Sequence, residues 1–181
     1  MRTLGKTVYS VLRSCLRMPQ GYYAAALVLG VLLFFLFRKE RLVKRLAISL
    51  LCPYLFLVLG TTVLKRRTMA SMRYFLSPFR LHRQILRNGI SRSRYQVAQV
   101  LLNVLLLSPI GVLMPCMVKK KWVVVPVGFC FSLLIEVLQL ALRKGTFEVD
   151  DLINNTAGVV IGLGINLLGE KLFGRKRDPE F

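Results

Sequence analysis

The sequence predicts an all-α polytopic membrane bundle: about five transmembrane helices, an N-terminal amphipathic helix and a basic interfacial linker. Three observations carry that prediction. Hydrophobic residues make up 55% of the 181-residue chain, and they gather in five runs long enough, or nearly so, to cross a hydrocarbon core that needs about 20 residues. Lys and Arg number 27 against 8 Asp and Glu, for a net charge of +19. A soluble nucleic-acid binder could share that charge but not these apolar runs. No basic residue lies inside a run except Lys171, which sits in the last turn and can snorkel.

Along the chain, residues 1–20 come first. Leu4, Val8, Val11, Leu12, Cys15 and Leu16 recur at helical spacing while Arg2, Lys6, Arg13 and Arg17 point elsewhere, which predicts a basic amphipathic helix lying in the interface. Residues 21–45 hold the first run, Gly21–Phe37, and a basic loop. Arg38-Lys39-Glu40-Arg41 reads as stop-transfer, and no small-residue cleavage site precedes it, so the run is expected to be a retained span and not a signal peptide. Residues 46–173 form the core, with runs at Leu46–Leu64, Val97–Val118, Trp122–Leu142 and Leu152–Phe173, and residues 174–181 are a charged tail. The spans do not divide into two similar halves, as those of many secondary transporters do.

The linker 65–96 carries nine Arg and Lys interleaved with apolar residues such as Met69, Tyr74, Phe75, Phe79 and Ile85. Ser77-Pro78 breaks it, so a short apolar piece, a bend and a basic interfacial helix are expected, with Asn88-Gly89 and Ser91–Ser93 as turn chemistry. Arg80, Arg83 and Arg87 are the expected surface for anionic lipid headgroups. RNA is the poorer partner, since no stacking motif accompanies the charge, and no nucleic acid is expected. His82 reads as an ordinary interfacial residue. The four cysteines, Cys15, Cys52, Cys116 and Cys130, lack Cys-x-x-Cys spacing and read as buried thiols behaving as small hydrophobes. With one histidine and no paired cysteines there is no soft-metal ligand set, and no cofactor is expected.

Polar residues interrupt the apolar runs in an ordered way. An odd number of spans puts the termini on opposite sides, so the N-terminus, the linker and the 143–151 loop share one face. Glu136 lies six residues inside the run that ends at Leu142, and Asn103 six residues inside the run that begins at Val97; both depths are roughly 9 Å. An ionisable group there costs roughly 2.5–3.5 kcal/mol on insertion scales and normally faces the bundle interior. Asp150, Asp151, Asn154, Asn155 and Thr156 open the last run at the same face, and Thr61 and Thr62 end the second run there. The opposite half is nearly bare, with Asn166 the main exception. A conduit needs polar positions through the whole thickness; a one-sided cluster suits a pocket for a headgroup or another amphiphile entering from that leaflet.

Helical spacing refines this picture. Glu136, Gln139 and Arg143 fall at i, i+3 and i+7 on the fourth span, and Asp151, Asn155, Gly158 and Gly162 at i, i+4, i+7 and i+11 on the fifth. Gly158 and Gly162 form a small-xxx-small pattern that permits close approach. The expected docking places these two stripes against each other. Pro109 and Gly111, inside the third span, predict a kink that frees the Leu105 carbonyl and either opens room beside Asn103 or only aids packing. The bland alternative for the whole cluster is interhelical hydrogen-bonding glue, on the order of 1 kcal/mol per pair. Basic residues divide almost evenly between the two faces, so the positive-inside rule does not choose; with the linker counted as lipid-bound, the polar face is expected outside and the C-terminus in the cytoplasm.

Asn103-Val-Leu-Leu-Leu-Ser-Pro109-Ile-Gly111, Glu136-Val-Leu-Gln139 and Phe147-Glu148-Val-Asp150-Asp151-Leu-Ile-Asn154-Asn155-Thr156-Ala-Gly158 occur in that order. Over about residues 46–172 the chain resembles the VanZ-like membrane protein family, and Ser77-Pro78-Phe79 resembles the Pro-Phe element of that family's linker. The resemblance marks Asn103, Pro109, Gly111, Glu136, Gln139, Asp151, Asn155, Thr156 and Gly158. This sequence departs from the pattern at Ser108, where an aromatic or apolar residue is common, at Glu148, where aspartate is common, and at Thr146, often arginine. The family is named for a protein conferring low-level teicoplanin resistance. The resemblance therefore implies a multi-pass protein of the bacterial plasma membrane that modulates glycopeptide susceptibility. Its expected partners are membrane lipids, a lipoglycopeptide or a cell-wall lipid precursor, held in a pocket of Asn103, Glu136, Gln139, Asp150, Asp151 and Asn155. Pro109, Gly111, Thr156, Gly158 and Gly162 are expected to be structural. The runner-up is an intramembrane enzyme acting on a lipid headgroup with Glu136 or Asp151 as general base, although no nucleophile with an adjacent base is visible.

Overall fold

The computed structural model describes residues 4–173; Arg2 of the predicted amphipathic helix, the predicted charged tail 174–181 and the side chains of Val11, Ser14, Cys15 and Leu16 lie outside what is described. Seven α-helices occur among the described residues: α1 (Leu4–Leu16), α2 (Gln20–Leu36), α3 (Leu42–Leu59), α4 (Arg80–Asn88), α5 (Arg94–Leu113), α6 (Val124–Ala141) and α7 (Val149–Leu172). The fold class is the expected all-α bundle. Four helical stretches are long and apolar enough to cross a membrane: Leu42–Leu64, Arg94–Cys116, Lys121–Ala141 and Val149–Leu172. The first predicted span is a shorter apolar helix of 17 residues, about 25 Å at the helical rise, so five is an approximate count.

That first helix stands apart from the others. Only Ala26 of α2 is buried, while Leu27, Leu32, Phe35 and Leu36 are exposed apolar residues. It leans on α3 through Gly30. A Cβ there would lie 3.0 Å from the Ser49 carbonyl and 3.3 Å from the Pro53 ring, so α2 packs where Pro53 cannot donate to the carbonyl four residues back.

The core is built by α3, α5, α6 and α7 around Leu51, Val58, Leu107, Ile110, Val124, Ile135 and Val159. Its tightest seam joins α5 to α7. A Cβ on Gly158 would run into the Val104 carbonyl, one on Gly162 into the Ser108 carbonyl, and one on Gly111 into the Val159 carbonyl. Glycines from both helices let the two backbones touch. This corrects the expected docking: the Gly158–Gly162 stripe of α7 meets α5, not α6. The spacing gave the stripe correctly, but the matching glycine, Gly111, lies on α5. On the α6 side the fit is reversed, with Gly128 receiving the side chain of Val159.

Three irregularities follow from sequence. Pro109 frees the Leu105 carbonyl, and the Ser108 hydroxyl donates to it at 3.0 Å, so the departure at Ser108 has a local use. After Leu59 the helix widens into a π-helical turn, Gly60–Leu64, closed by the Lys65 amide on the Gly60 carbonyl at 2.9 Å. In that turn the Thr61 and Thr62 hydroxyls donate to the Val58 carbonyl. Finally, the linker and the loop after α6 meet as two short parallel strands, β1 (Arg73–Phe75) and β2 (Thr146–Glu148), paired Arg73 to Thr146, Tyr74 to Phe147 and Phe75 to Glu148. β2 runs straight into α7, so this small sheet gathers the linker onto the end of the bundle where the polar residues lie.

Candidate functional site

The polar residues singled out from the sequence are held by α5, α6, α7 and the α6–α7 connection. α6 turns Gly128, Ser132, Ile135, Glu136 and Gln139 inward, all buried. This face carries small and polar groups, the inverse of a soluble amphipathic helix and the pattern expected where lipid surrounds the bundle. Glu136 is 2% exposed, and its Oε2 accepts the backbone N–H of Glu148 at 2.9 Å. Gln139 Nε2 donates to the Thr62 carbonyl in the π-helical turn at 3.0 Å.

The expected third member of that stripe is not part of it. Arg143 follows the helix end with φ of 54°, its amide on the Leu140 carbonyl and the Lys144 amide on the Gln139 carbonyl. This is a Schellman closure with arginine at the left-handed position that glycine usually takes. The turn that ends α6 therefore removes Arg143 from the line of Glu136 and Gln139, a change the i, i+3, i+7 spacing does not contain.

Two acids open α7, where the helix dipole favours negative charge, and they serve different neighbours. Asp151 Oδ1 accepts from Asn103 Nδ2 at 2.6 Å and from Gln99 Nε2 at 3.2 Å, tying α7 to α5 just above the glycine seam. Asp150, also buried, accepts the backbone N–H of Leu81 on Oδ2 at 2.6 Å. Leu81 stands in the first turn of α4, whose own N-cap residue, Phe79, is left-handed and gives no side-chain cap. Asp150 thus caps α4 from 69 residues away, doing the work of a local N-cap. One turn deeper, Asn155 Nδ2 donates to the Ser132 hydroxyl at 2.8 Å.

Two arginines attend the acids. Arg80 Nη2 pairs with Glu148 Oε2 at 2.8 Å while its guanidinium lies 3.8 Å from the Phe75 ring centre. Arg66 acts on Glu136 and Asp151 through its charge, and a Cβ on Gly145 would meet both Arg66 Nη1, at 2.9 Å, and Gln139 Oε1, at 2.8 Å. Glu148, placed where aspartate is common in the pattern, spends its amide on Glu136 and its carboxylate on Arg80.

All six predicted pocket residues lie at this end. Asn103 and Asp151 are in direct contact, Glu136 is joined to the start of α7 through Glu148, and Gln139, Asp150 and Asn155 bond to Thr62, Leu81 and Ser132. Besides Arg66, four hydrogen-bonding participants were not assigned from the sequence. Gln99 and Ser132 were accessible to it, each standing four residues before a chosen residue, Asn103 and Glu136, and hence on the same helical side. The Leu81 and Glu148 amides were not, because a backbone donor leaves no signature in sequence.

Hydrogen-bonding capacity remains at this end after these contacts. Asp150 Oδ1, Asn154 Nδ2 and Asn155 Oδ1 are buried without a partner among the described residues. All three belong to the first two turns of α7, a density out of keeping with the rule that buried polar groups are matched.

The model of the VanZ/LLP1 family matches residues 51–169, the segment that holds α5, α6, all but the last turn of α7 and all of these contacts. Searches of the curated proteins and of the solved structures returned no match. With about two thirds of its length covered by that family model, and with apolar helices long enough to span a bilayer, this chain is a membrane protein that belongs to the VanZ/LLP1 family.

Proposed function

We propose that the polar end of the bundle binds the head of a cell-envelope amphiphile, a lipid or a lipoglycopeptide, and that through it the protein modulates susceptibility to teicoplanin-type glycopeptides. The observation that carries the reading is the unmatched trio on α7. Asp150 Oδ1, Asn154 Nδ2 and Asn155 Oδ1 offer two acceptors and one donor in a buried place, and a polar headgroup could supply the partners. Packing alone has no need of such groups, since a buried unmatched donor or acceptor costs about 1–3 kcal/mol.

The unmatched atoms are two acceptors and one donor, so a headgroup carrying an amine or several hydroxyls suits the place best. The VanZ-like resemblance supplies the link to glycopeptides, and the polar end is taken to face outward.

Binding of a fluorescent teicoplanin-type lipoglycopeptide to the purified full chain in detergent tests the reading. Glu136→Gln, which keeps the shape, and Asn154→Leu, which fills the donor's place, are each expected to weaken binding by about tenfold, on the order of one hydrogen bond lost in a buried place. Affinity unchanged in both variants, with their thermal stability retained, contradicts the proposal.

A further inference from the structure

A second polar feature lies on α4, outside the acid cluster. α4 turns Leu81 inward, and its outer side holds a cleft of about 340 Å³ lined by Arg80, Arg83, Gln84, Arg87 and Asn88. Three guanidinium groups and two carboxamides line it, and no acid does. Arg80 is already paired with Glu148, and Arg83 Nη2 reaches the Ser77 hydroxyl at 2.7 Å. The charge left over belongs to Arg83 and Arg87, one helical turn apart and on one side of α4.

Guanidinium groups bind phosphate oxygens two at a time, and carboxamides add neutral donors without adding charge. We propose that this cleft is a site for the phosphate of an anionic phospholipid lying against the same end of the bundle. The apolar residues around it identify the lipid as the source. Leu76, Phe79, Leu86 and Ile90 flank the arginines and are 62%, 52%, 84% and 60% exposed. A site for free phosphate has no use for such residues, whereas a helix lying on a bilayer places them among the acyl chains with its arginines at headgroup level. α4 is fixed in that posture by the Asp150 cap and the Arg80–Glu148 pair, so the cleft is held to the transmembrane core and not carried on a loose loop.

The test uses the purified full chain and native mass spectrometry, with three probes: dioctanoyl phosphatidylglycerol, its deacylated headgroup glycerophosphoglycerol, and inorganic phosphate. The short lipid is expected to bind, and Arg83→Gln/Arg87→Gln to weaken it by about tenfold or more, as the loss of charge-assisted hydrogen bonds implies. Arg83→Lys/Arg87→Lys, which keeps the charge and the helix, is expected to weaken it less but measurably. Arg38→Gln/Lys39→Gln, which removes the same charge at exposed positions on another loop, is expected to change nothing. Equal loss in that control reduces the effect to net charge and overturns the site. Inorganic phosphate or glycerophosphoglycerol binding as tightly as the lipid overturns the lipid assignment, and full binding by both arginine double variants overturns the cleft itself. Glu136→Gln is expected to leave this binding intact, which separates the cleft from the acid cluster.

Discussion

At the end of the bundle where α6 passes to α7, the carboxylates of Glu136, Asp150 and Asp151 accept from four amides, those of Leu81, Gln99, Asn103 and Glu148, and the Glu148 carboxylate pairs with Arg80. At the opposite end the contacts are simpler. Asn166 Nδ2 donates to the Val112 carbonyl at 2.9 Å, beside the Cys116 thiol, and Lys121 pairs with Glu170. The far-end groups close a helix terminus and join two helices at the rim, which is what packing asks for. The near-end groups go further: they cap a helix distant in sequence, hold a strand and a π-helical turn, and still leave three buried atoms of α7 unmatched, against one, Asn166 Oδ1, at the far end. The same residue types join few elements at one end and many at the other, and it is at the many-joined end that we place the proposed site.

The comparison can be broken by substitution. Asp151→Ala strips Asn103 and Gln99 of their acceptor and is expected to destabilise the purified protein by about 3 kcal/mol, the range for leaving buried donors unmatched. Asn166→Val at the far end is expected to cost about 1 kcal/mol, the usual size of one interhelical hydrogen bond in a bundle. Denaturant unfolding in mixed micelles, followed by circular dichroism, reads both; equal costs would erase the distinction between the ends. The smallest effect is expected for Lys121→Ala. Its pair with Glu170 is partly exposed, with both side chains about one quarter accessible, and such pairs contribute about 1 kcal/mol or less. A loss near that of Asp151→Ala would make the far end as consequential as the near one.

Much of this arrangement was legible in the sequence, for identifiable reasons. Hydropathy and the exclusion of basic residues located the spans because the bilayer penalises each charge separately. Counting residues from the ends of the runs placed Asn103, Glu136 and Asp151 at one end because helices rise evenly. The partner of the Gly158–Gly162 stripe was not legible: spacing fixes which side of a helix is small but not which neighbour lies there, and Gly111 was the clue on the other helix. Arg143 was misplaced because a helix end reorients the chain within a single residue. The pairing of β1 with β2 was out of reach as well, since three-residue strands about 70 positions apart show no periodicity. Asp150 as the cap of α4 was equally hidden, because its partner is a backbone amide.

The convergence of α5 and α7 at the polar end is tested most directly by a double-mutant cycle on Asn103 and Asp151, 2.6 Å apart across the two helices. Unfolding free energies of the wild type, Asn103→Ala, Asp151→Ala and the double variant are expected to give a coupling of about 1 kcal/mol or more, at the upper end for interhelical pairs because one partner is charged. Additivity within about 0.3 kcal/mol would mean that the two side chains act independently, and the polar end would then not be the single joined unit on which the proposed site depends.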